Sequence, residues 1–269
     1  MEDILQDLSP PALAYAVKAN LLEFFRYLRR AKNVEFYANQ KLVRWHTPIP
    51  YPWFNGVLCA EPPSSDEGQS IQDTVAYFKS RNVAVFTWWL EPHLEASDWR
   101  RQLLAHGLGY DEDTPGMAAD LNALNEDLAT PADLRILPVQ DLAGLREWIH
   151  TFILGYELPG SWEADFFDLM AGLGLDLPVR NYTGYLNGEP VATSSLFLGA
   201  RVAGVQCVAT LPQARGRGIG AALSLEPLRD ARAMGYRAGV LQSSEMGFRV
   251  YQKLGFQKLC NVSNYYWRN

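Results

Sequence analysis

The stretch Val202 to Gly220 constrains this chain more than any other. It begins as the strand-forming run Val202 to Thr210 and is stopped by Pro212. It then passes through Arg215-Gly216-Arg217-Gly218-Ile219-Gly220 into a helix from about Gly218 to Met234. A strand that feeds through glycines into a helix makes an anion site. The first helical turn carries N–H groups with no intrahelical partner, and the dipole adds positive potential there. Glycines at 216, 218 and 220 let the main chain approach a phosphate closely, and Arg215 and Arg217 add charge beside it. Pro227, inside the helix, removes the bond to the Leu223 carbonyl and predicts a kink more than a turn beyond the loop.

Two nucleotide-binding motifs compete for this loop. The nucleotide P-loop needs a Lys-Ser or Lys-Thr after its glycines, and none follows here. Gly216, Gly218 and Ala221 satisfy G-x-G-x-x-A, the dinucleotide fingerprint. That fingerprint also wants an acidic residue at the end of the next strand, which here reads Leu241-Gln242-Ser243, with Glu245 only in the turn beyond. The preceding strands are joined as hairpins rather than by helical crossovers, so a nicotinamide-dependent oxidoreductase is the weaker alternative.

Around the loop the pattern alternates. Leu134 to Pro138 reads as a strand, Asp141 to Phe152 as a helix capped by Asp141, and Trp162 to Ala171 as a second helix. Arg180 to Leu186 and Val191 to Leu198 form a hairpin turning at Asn187-Gly188. After the long helix come a strand at Ala238 to Gln242, a helix at Met246 to Leu254 and a final strand near Phe256 to Tyr265. The first half opens with a helix from Pro11 to about Arg30. Short strands follow at Val34 to Ala38, Leu42 to His46 and Gly56 to Ala60, then a helix from Ile71 to about Ser80. The proline-rich 47–54 stretch cannot be a central strand. Val83 to Trp89 is the clearest strand of this half, followed by a helix from Ala96 to about His106 and a strand around Met117 to Leu121. The polar stretch 125–132 (NEDLATPA) reads as a linker. The expected class is α/β with a mixed sheet, in domains at 1–128 and 132–269. Strand 83–89, helix and Gly107-Leu108-Gly109-Tyr110 echo strand 238–242, helix and Leu254-Gly255-Phe256, which points to an internal duplication.

In element order and in motifs, residues 132–269 resemble the GNAT superfamily of acyl-CoA-dependent N-acyltransferases. Arg215, Gly218 and Gly220 match that family's R/Q-x-x-G-x-G/A loop, and Pro212 stands where members often carry one. Tyr251-Gln252-Lys253-Leu254-Gly255-Phe256 matches its second hallmark, Y-x-x-L-G-F. The resemblance implies a GNAT-like fold, tandem with a degenerate N-terminal copy, and acetyl-CoA as acyl donor. It implies that the strand before the loop splays from its neighbour and that Val208, Ala209 and Thr210 pair with the pantetheine arm. Arg215, Gly216, Arg217, Gly218, Ile219 and Gly220 would hold the pyrophosphate, and Tyr251 would protonate the departing thiolate. Where members often have an Asn touching the cofactor arm, this chain has Ser243 and Ser244, whose hydroxyls would substitute. In the N-terminal copy the matching loop reads Glu61-Pro62-Pro63-Ser64-Ser65-Asp66-Glu67, acidic and without the glycines, so one cofactor site per chain is expected.

The acceptor is a small-molecule or peptide amine of open identity, and a catalytically silent CoA-binding sensor is the alternative from another class. Amine attack needs a proton acceptor, for which Glu157, Glu163, Asp165 and Asp168 are candidates, although each also reads as a solvated helix residue. Gln206 and Cys207 lie on the cofactor-side strand, with Cys207 read as core. His46, His93, His106 and His150 show no metal-ligand spacing, so no metal is expected. The aromatic segment 45–54 and Trp88-Trp89 read as core or packing surface. With 24 Lys and Arg against 30 Asp and Glu, the net charge of -6 argues against nucleic acid as a partner. Three dispersed cysteines, no basic-apolar leader and no membrane-length apolar run place the expected protein in the cytoplasm, off the membrane. The oligomeric state stays open.

Overall fold

A computed structural model describes residues 4–39, 42–59, 67–90, 94 and 98–269. In chain order its elements are α1 (Pro10–Tyr27), β1 (Glu35–Ala38), β2 (Leu42–His46), β3 (Gly56–Cys59), α2 (Glu67–Ser80), β4 (Val85–Leu90), α3 (Trp99–Ala105), β5 (Gly109–Asp120) and β6 (Leu134–Pro138). There follow α4 (Leu142–Gly155), α5 (Glu163–Leu173), β7 (Val179–Leu186), β8 (Glu189–Gly199), β9 (Val202–Thr210), α6 (Ile219–Ala233), β10 (Ala238–Gln242), α7 (Glu245–Leu254) and β11 (Gln257–Arg268). No described helix is long and apolar enough to cross a membrane.

The chain divides into two compact units, each made of discontinuous pieces. One comprises Met1–Phe24 and Pro115–Leu259, the other Phe25–Thr114 and Cys260–Asn269. The stretch 125–132, expected as a linker, lies inside the first of these. Asn125 donates through its amide to the Leu254 carbonyl (3.1 Å) and through its side chain to Lys253 O (3.1 Å). Glu126 pairs with Arg229 (2.9 Å) and Arg232 (2.6 Å) of α6. Composition shows the polarity of this stretch but not its partners.

In the larger unit the strand order is β5-β10-β9-β8-β7-β6. β6 through β9 are antiparallel neighbours, β9 and β10 are parallel, and residues 116–120 of β5 run antiparallel to β10. The β7–β8 hairpin turns at Asn187 (φ 52°) and Gly188 (φ 85°), left-handed at both positions as its sequence requires. Asp141 caps α4, accepting from the Gly144 amide at 2.8 Å. α6 packs on one face of the sheet: Leu223 is fully buried, and a Cβ at Gly184 would meet its Cδ2 at 2.7 Å. Burying such a leucine stabilises by about 1.5–3 kcal/mol, and glycine at 184 leaves room for it. α6 continues through Pro227, which is itself buried.

In the other unit the order is β1-β2-β3-β4-β11, with β3 parallel to β4 and residues 263–268 of β11 antiparallel to β4. Trp45, Phe78, Phe86 and Trp88 are fully buried, so the aromatic segments are core, and the 47–54 stretch contributes only a turn at Pro52–Phe54. Both units therefore contain a run of antiparallel strands, four in the larger and three in the other, then a helical crossover to a parallel strand and a further antiparallel neighbour. The crossovers' following helices also end alike. Gly107 (φ 83°) and Gly255 (φ 102°) terminate α3 and α7, and the next amide reaches back five residues, Leu108 to Leu103 O and Phe256 to Tyr251 O, each 3.0 Å. The last strands, however, have changed places. β5 follows α3 but gives residues 116–120 to β10, and β11 follows α7 but gives residues 263–268 to β4. β5 is also longer than its expected 117–121 core, because Asp111, Glu112 and Asp113 hide its beginning from a hydrophobic pattern.

Candidate functional site

β9 and β10 pair only at Ala203–Gly239 and Gly204–Val240. Beyond Gly204, β9 stays bonded to β8 as far as Thr210 and no longer registers with β10. The strands part where β9 carries a bulge. Cys207 has φ 53°, the β8 register shifts between Thr193 and Ser195, and Thr193 Oγ1 donates to the Cys207 carbonyl at 3.0 Å. A bulge adds local twist and bends its strand, which separates β9 from a straight neighbour. No glycine marks the position, so the sequence gives no sign of it. In the other unit, β3 and β4 pair over all four described residues of β3, from Gly56–Thr87 to Cys59–Leu90.

The loop lies at the mouth of this opening. Pro212–Ala214 form one tight turn, after which Gly216 (φ 75°) and Gly218 (φ 76°) are both left-handed. The first intrahelical bond of α6 runs from Ala222 N–H to Gly218 O (3.1 Å), which leaves the Ile219, Gly220 and Ala221 amides as unpartnered first-turn donors. Gly216 and Arg217 are exposed, and a Cβ at Gly220 would touch Thr210 Oγ1 at 3.4 Å. Thus the loop and Thr210 come together. Val208 and Ala209 precede them on the unpaired stretch of β9.

Arg215 takes a different part from a free cation. Its Nε donates to Thr210 O (3.0 Å), one terminal nitrogen donates to Gly155 O (2.8 Å), and Glu157 lies 3.7 Å away. It ties the end of β9 to the end of α4. Glycine at 155 permits this, since a Cβ there would sit 2.9 Å from that of Ala209.

Tyr251 is buried on α7, its ring 6.0 Å from that of Phe256. Burial pushes its phenol up to about 12, and the Ser224 hydroxyl pulls weakly the other way. Its equivalent in the other unit, counted from the left-handed glycine, is Leu103, which has no hydroxyl. Ser244 caps α7, accepting from the Gly247 amide (3.2 Å), and Ser243 Oγ donates to Ser244 O (2.8 Å). Both serine hydroxyls are therefore engaged within their own turn. Glu245 opens α7 and is exposed.

Of the carboxylates, Glu163 bonds His150 Nδ1 (2.8 Å), Glu157 faces Arg215, and Asp168 is exposed while Asp165 is half-buried. Cys207 is half-buried, and burial raises its thiol to about 11. It is a poor nucleophile at neutral pH. His46 lies 3.7 Å from Glu35, with its pKa lowered chiefly by burial, and His106 Nδ1 bonds its own helix at Gln102 O (2.8 Å). Among the described residues no cluster of three metal-ligating side chains forms. His93 and the acidic residues 61–66 lie outside the described residues.

Residues 144–256 match the acetyltransferase (GNAT) family model. No curated protein matches the chain in sequence. Among solved structures it is similar to a GCN5-related N-acetyltransferase from Kribbella flavida, with TM-score 0.68, 16% identity and 94% of each chain covered. A GCN5-related N-acetyltransferase from Sphaerobacter thermophilus aligns with TM-score 0.63 at 16% identity, covering 99% of this chain and 94% of that one. A tandem GNAT protein from the clavulanic acid biosynthesis pathway aligns with TM-score 0.59 at 12% identity, covering 99% and 97%. At these identities the structural likeness speaks for the fold.

Proposed function

We propose, from the premise that residues 144–256 form a GNAT-family domain, that this protein transfers an acetyl group from acetyl-CoA to a primary amine by direct attack. Fold and family support N-acyltransferase activity in general. The observation that carries the finer reading is the opening between β9 and β10 beyond Gly204, with unpartnered helix-start amides at its mouth. Those residues fit the donor: diphosphate oxygens need N–H donors and positive potential, and an extended amide arm needs unpaired strand backbone. The backbone of Val208, Ala209 and Thr210 would take the arm, and Gly216, Arg217, Gly218, Ile219 and Gly220 the pyrophosphate. Arg215 would keep β9 and the loop in place from behind.

When bound, acetyl-CoA supplies the thioester. The β9 backbone near Val208 would then orient and polarise its carbonyl. Tyr251 stays protonated at every physiological pH, so its hydroxyl is available as a donor to the leaving sulfur. A phenol near 12 is a weaker acid than a free thiol, so Tyr251 acts first as a hydrogen bond that stabilises the thiolate. A soluble protein of net charge -6 suits a cationic amine in the approach to the site.

Binding and turnover test this separately. CoA and acetyl-CoA should raise the melting temperature and NAD should not; stabilisation by NAD alone overturns the reading. Amine-dependent CoA release should fall at least tenfold in Tyr251→Phe with CoA affinity kept. CoA binding without release from any amine would make the protein a silent sensor.

A further inference from the structure

The face of the sheet that receives α4 carries a line of polar side chains where apolar ones would be the rule. Asn181 on β7, Ser195 on β8 and Gln206 on β9 stand directly opposite one another across three strands. Asn181 is 1% exposed and Ser195 4%. Ser195 Oγ donates to Asn181 Oδ1 at 2.6 Å. The Asn181 Nδ2 and Gln206 Nε2 groups are buried without a partner, as is Thr183 Oγ1 two residues further along β7. Buried polar groups are nearly always paired, because an orphan forfeits its water and gains nothing. Two such carboxamides on one face, one bonded to Ser195 and the other opposite that serine on the next strand, make a set of donors lacking an acceptor.

Their position matches that need. On one side the neighbouring row, Thr193 and Ala209, meets α4 at Gly155. On the other, Phe197 and Gly204 meet α1, where a Cβ at Gly204 would strike Asn20. The polar row thus lies between the place where α4 meets the sheet and the place where α1 does. Gln206 directly precedes the Cys207 bulge, next to the place where β9 leaves β10. α6 and its loop occupy the opposite face, with Leu223 over Gly184 and Gly220 beside Thr210. A donor held from the α6 side therefore leaves this face to the acceptor.

We propose that Asn181 and Gln206, which flank Ser195 on either side, are specificity-determining residues of the acceptor site. On this assignment the acceptor is an α-amino carbonyl compound, an amine whose carbonyl or carboxylate oxygen takes the two N–H donors. The assignment rests on the acyltransferase reading above. The oxygen anchors the substrate while its nitrogen forms the new C–N bond. The C–S bond breaks, the nitrogen gives up a proton, and the sulfur gains one. The row holds no ionic side chain, so it distinguishes substrates by their oxygen and not by their charge.

The test uses the full chain and matched pairs of amines: amino-acid amides with different side chains, each against the amine lacking the carboxamide. Transfer and calorimetric binding are read together. The oxygen-bearing member should win by at least tenfold in kcat/KM, mainly through KM. Gln206→Leu should remove the preference, and so should Asn181→Leu if that buried variant folds. Gln206→Glu should invert the preference toward diamines, which a structural role for the residue would not do. CoA-induced stabilisation should be unchanged in each. Equal use of both members in every pair, or a preference that survives Gln206→Leu and Gln206→Glu, overturns the proposal. Absence of CoA binding sinks the acyltransferase reading instead, and calorimetry of the amide pairs on the free protein then decides the row alone, with no preference counting against it.

Discussion

Gly216 and Gly218 share a backbone conformation but differ in surroundings, and alanine at each position separates the two effects. Both are left-handed, at φ 75° and 76°. An L-residue there costs about 1–2 kcal/mol. At Gly216 a Cβ meets nothing within 4 Å, so that backbone term is the whole cost of Gly216→Ala. At Gly218 the added carbon would lie 2.2 Å from the Ala129 carbonyl oxygen, well inside the 3.0 Å that real Cβ contacts respect. The obstacle is backbone, in a stretch anchored by Glu126 to two arginines, and it cannot swing aside as a side chain would. Displacing it adds about 1–3 kcal/mol, the usual range for overpacking. Urea unfolding should therefore place Gly218→Ala about 1–3 kcal/mol below Gly216→Ala. CoA calorimetry on the same proteins should show at least a hundredfold loss for Gly218→Ala and under tenfold for Gly216→Ala. Equal stabilities would show that Ala129 does not crowd the loop. Unchanged CoA affinity in both would refute the anion cradle.

Arg215→Lys should weaken CoA binding several-fold and lower the melting temperature, because an ammonium lacks the two separate nitrogens with which the guanidinium reaches the Thr210 and Gly155 carbonyls; differential scanning calorimetry reads the second effect. The kcat of the wild type should show no limb from Tyr251 between pH 6 and 9, since that phenol ionises near 12; a limb that vanishes in Tyr251→Phe would contradict this. Burial raises the Cys207 thiol from 9.0 to about 11, so the folded state holds its proton longer than the unfolded one. Its contribution to stability is complete below pH 9 and drains away between about 9 and 11, and the urea midpoint of Cys207→Ala should fall less over that window.

How far the sequence reaches can be judged residue by residue. β9 and β10 begin and end at their expected residues because strand propensity, Pro212 and the following glycines all agree there. The left-handed glycines were legible for the same reason. The Cys207 bulge was not, since a non-glycine residue in that conformation is imposed by its neighbours and leaves no mark in composition. Arg215 reads as a cation for phosphate, and one of its two carbonyl partners, Gly155, lies 60 residues away in the chain. Ser243 and Ser244 stand where the family often has an Asn and were expected to substitute for it through their hydroxyls, which here bond within the turn that starts α7. The row Asn181, Ser195 and Gln206 depends on the register of three strands, which no single strand encodes.

The exchanged strands bear on how the protein is made. Residues 260–268 leave the ribosome after every other strand described here, yet they complete the sheet built from residues 35–90. The half translated first must therefore wait, with one side of β4 uncovered, until synthesis has passed the half translated second. Nascent chains arrested near residue 259 should expose that edge to chaperones, and severing the chain near residue 130 would deprive each piece of a strand that it cannot make for itself.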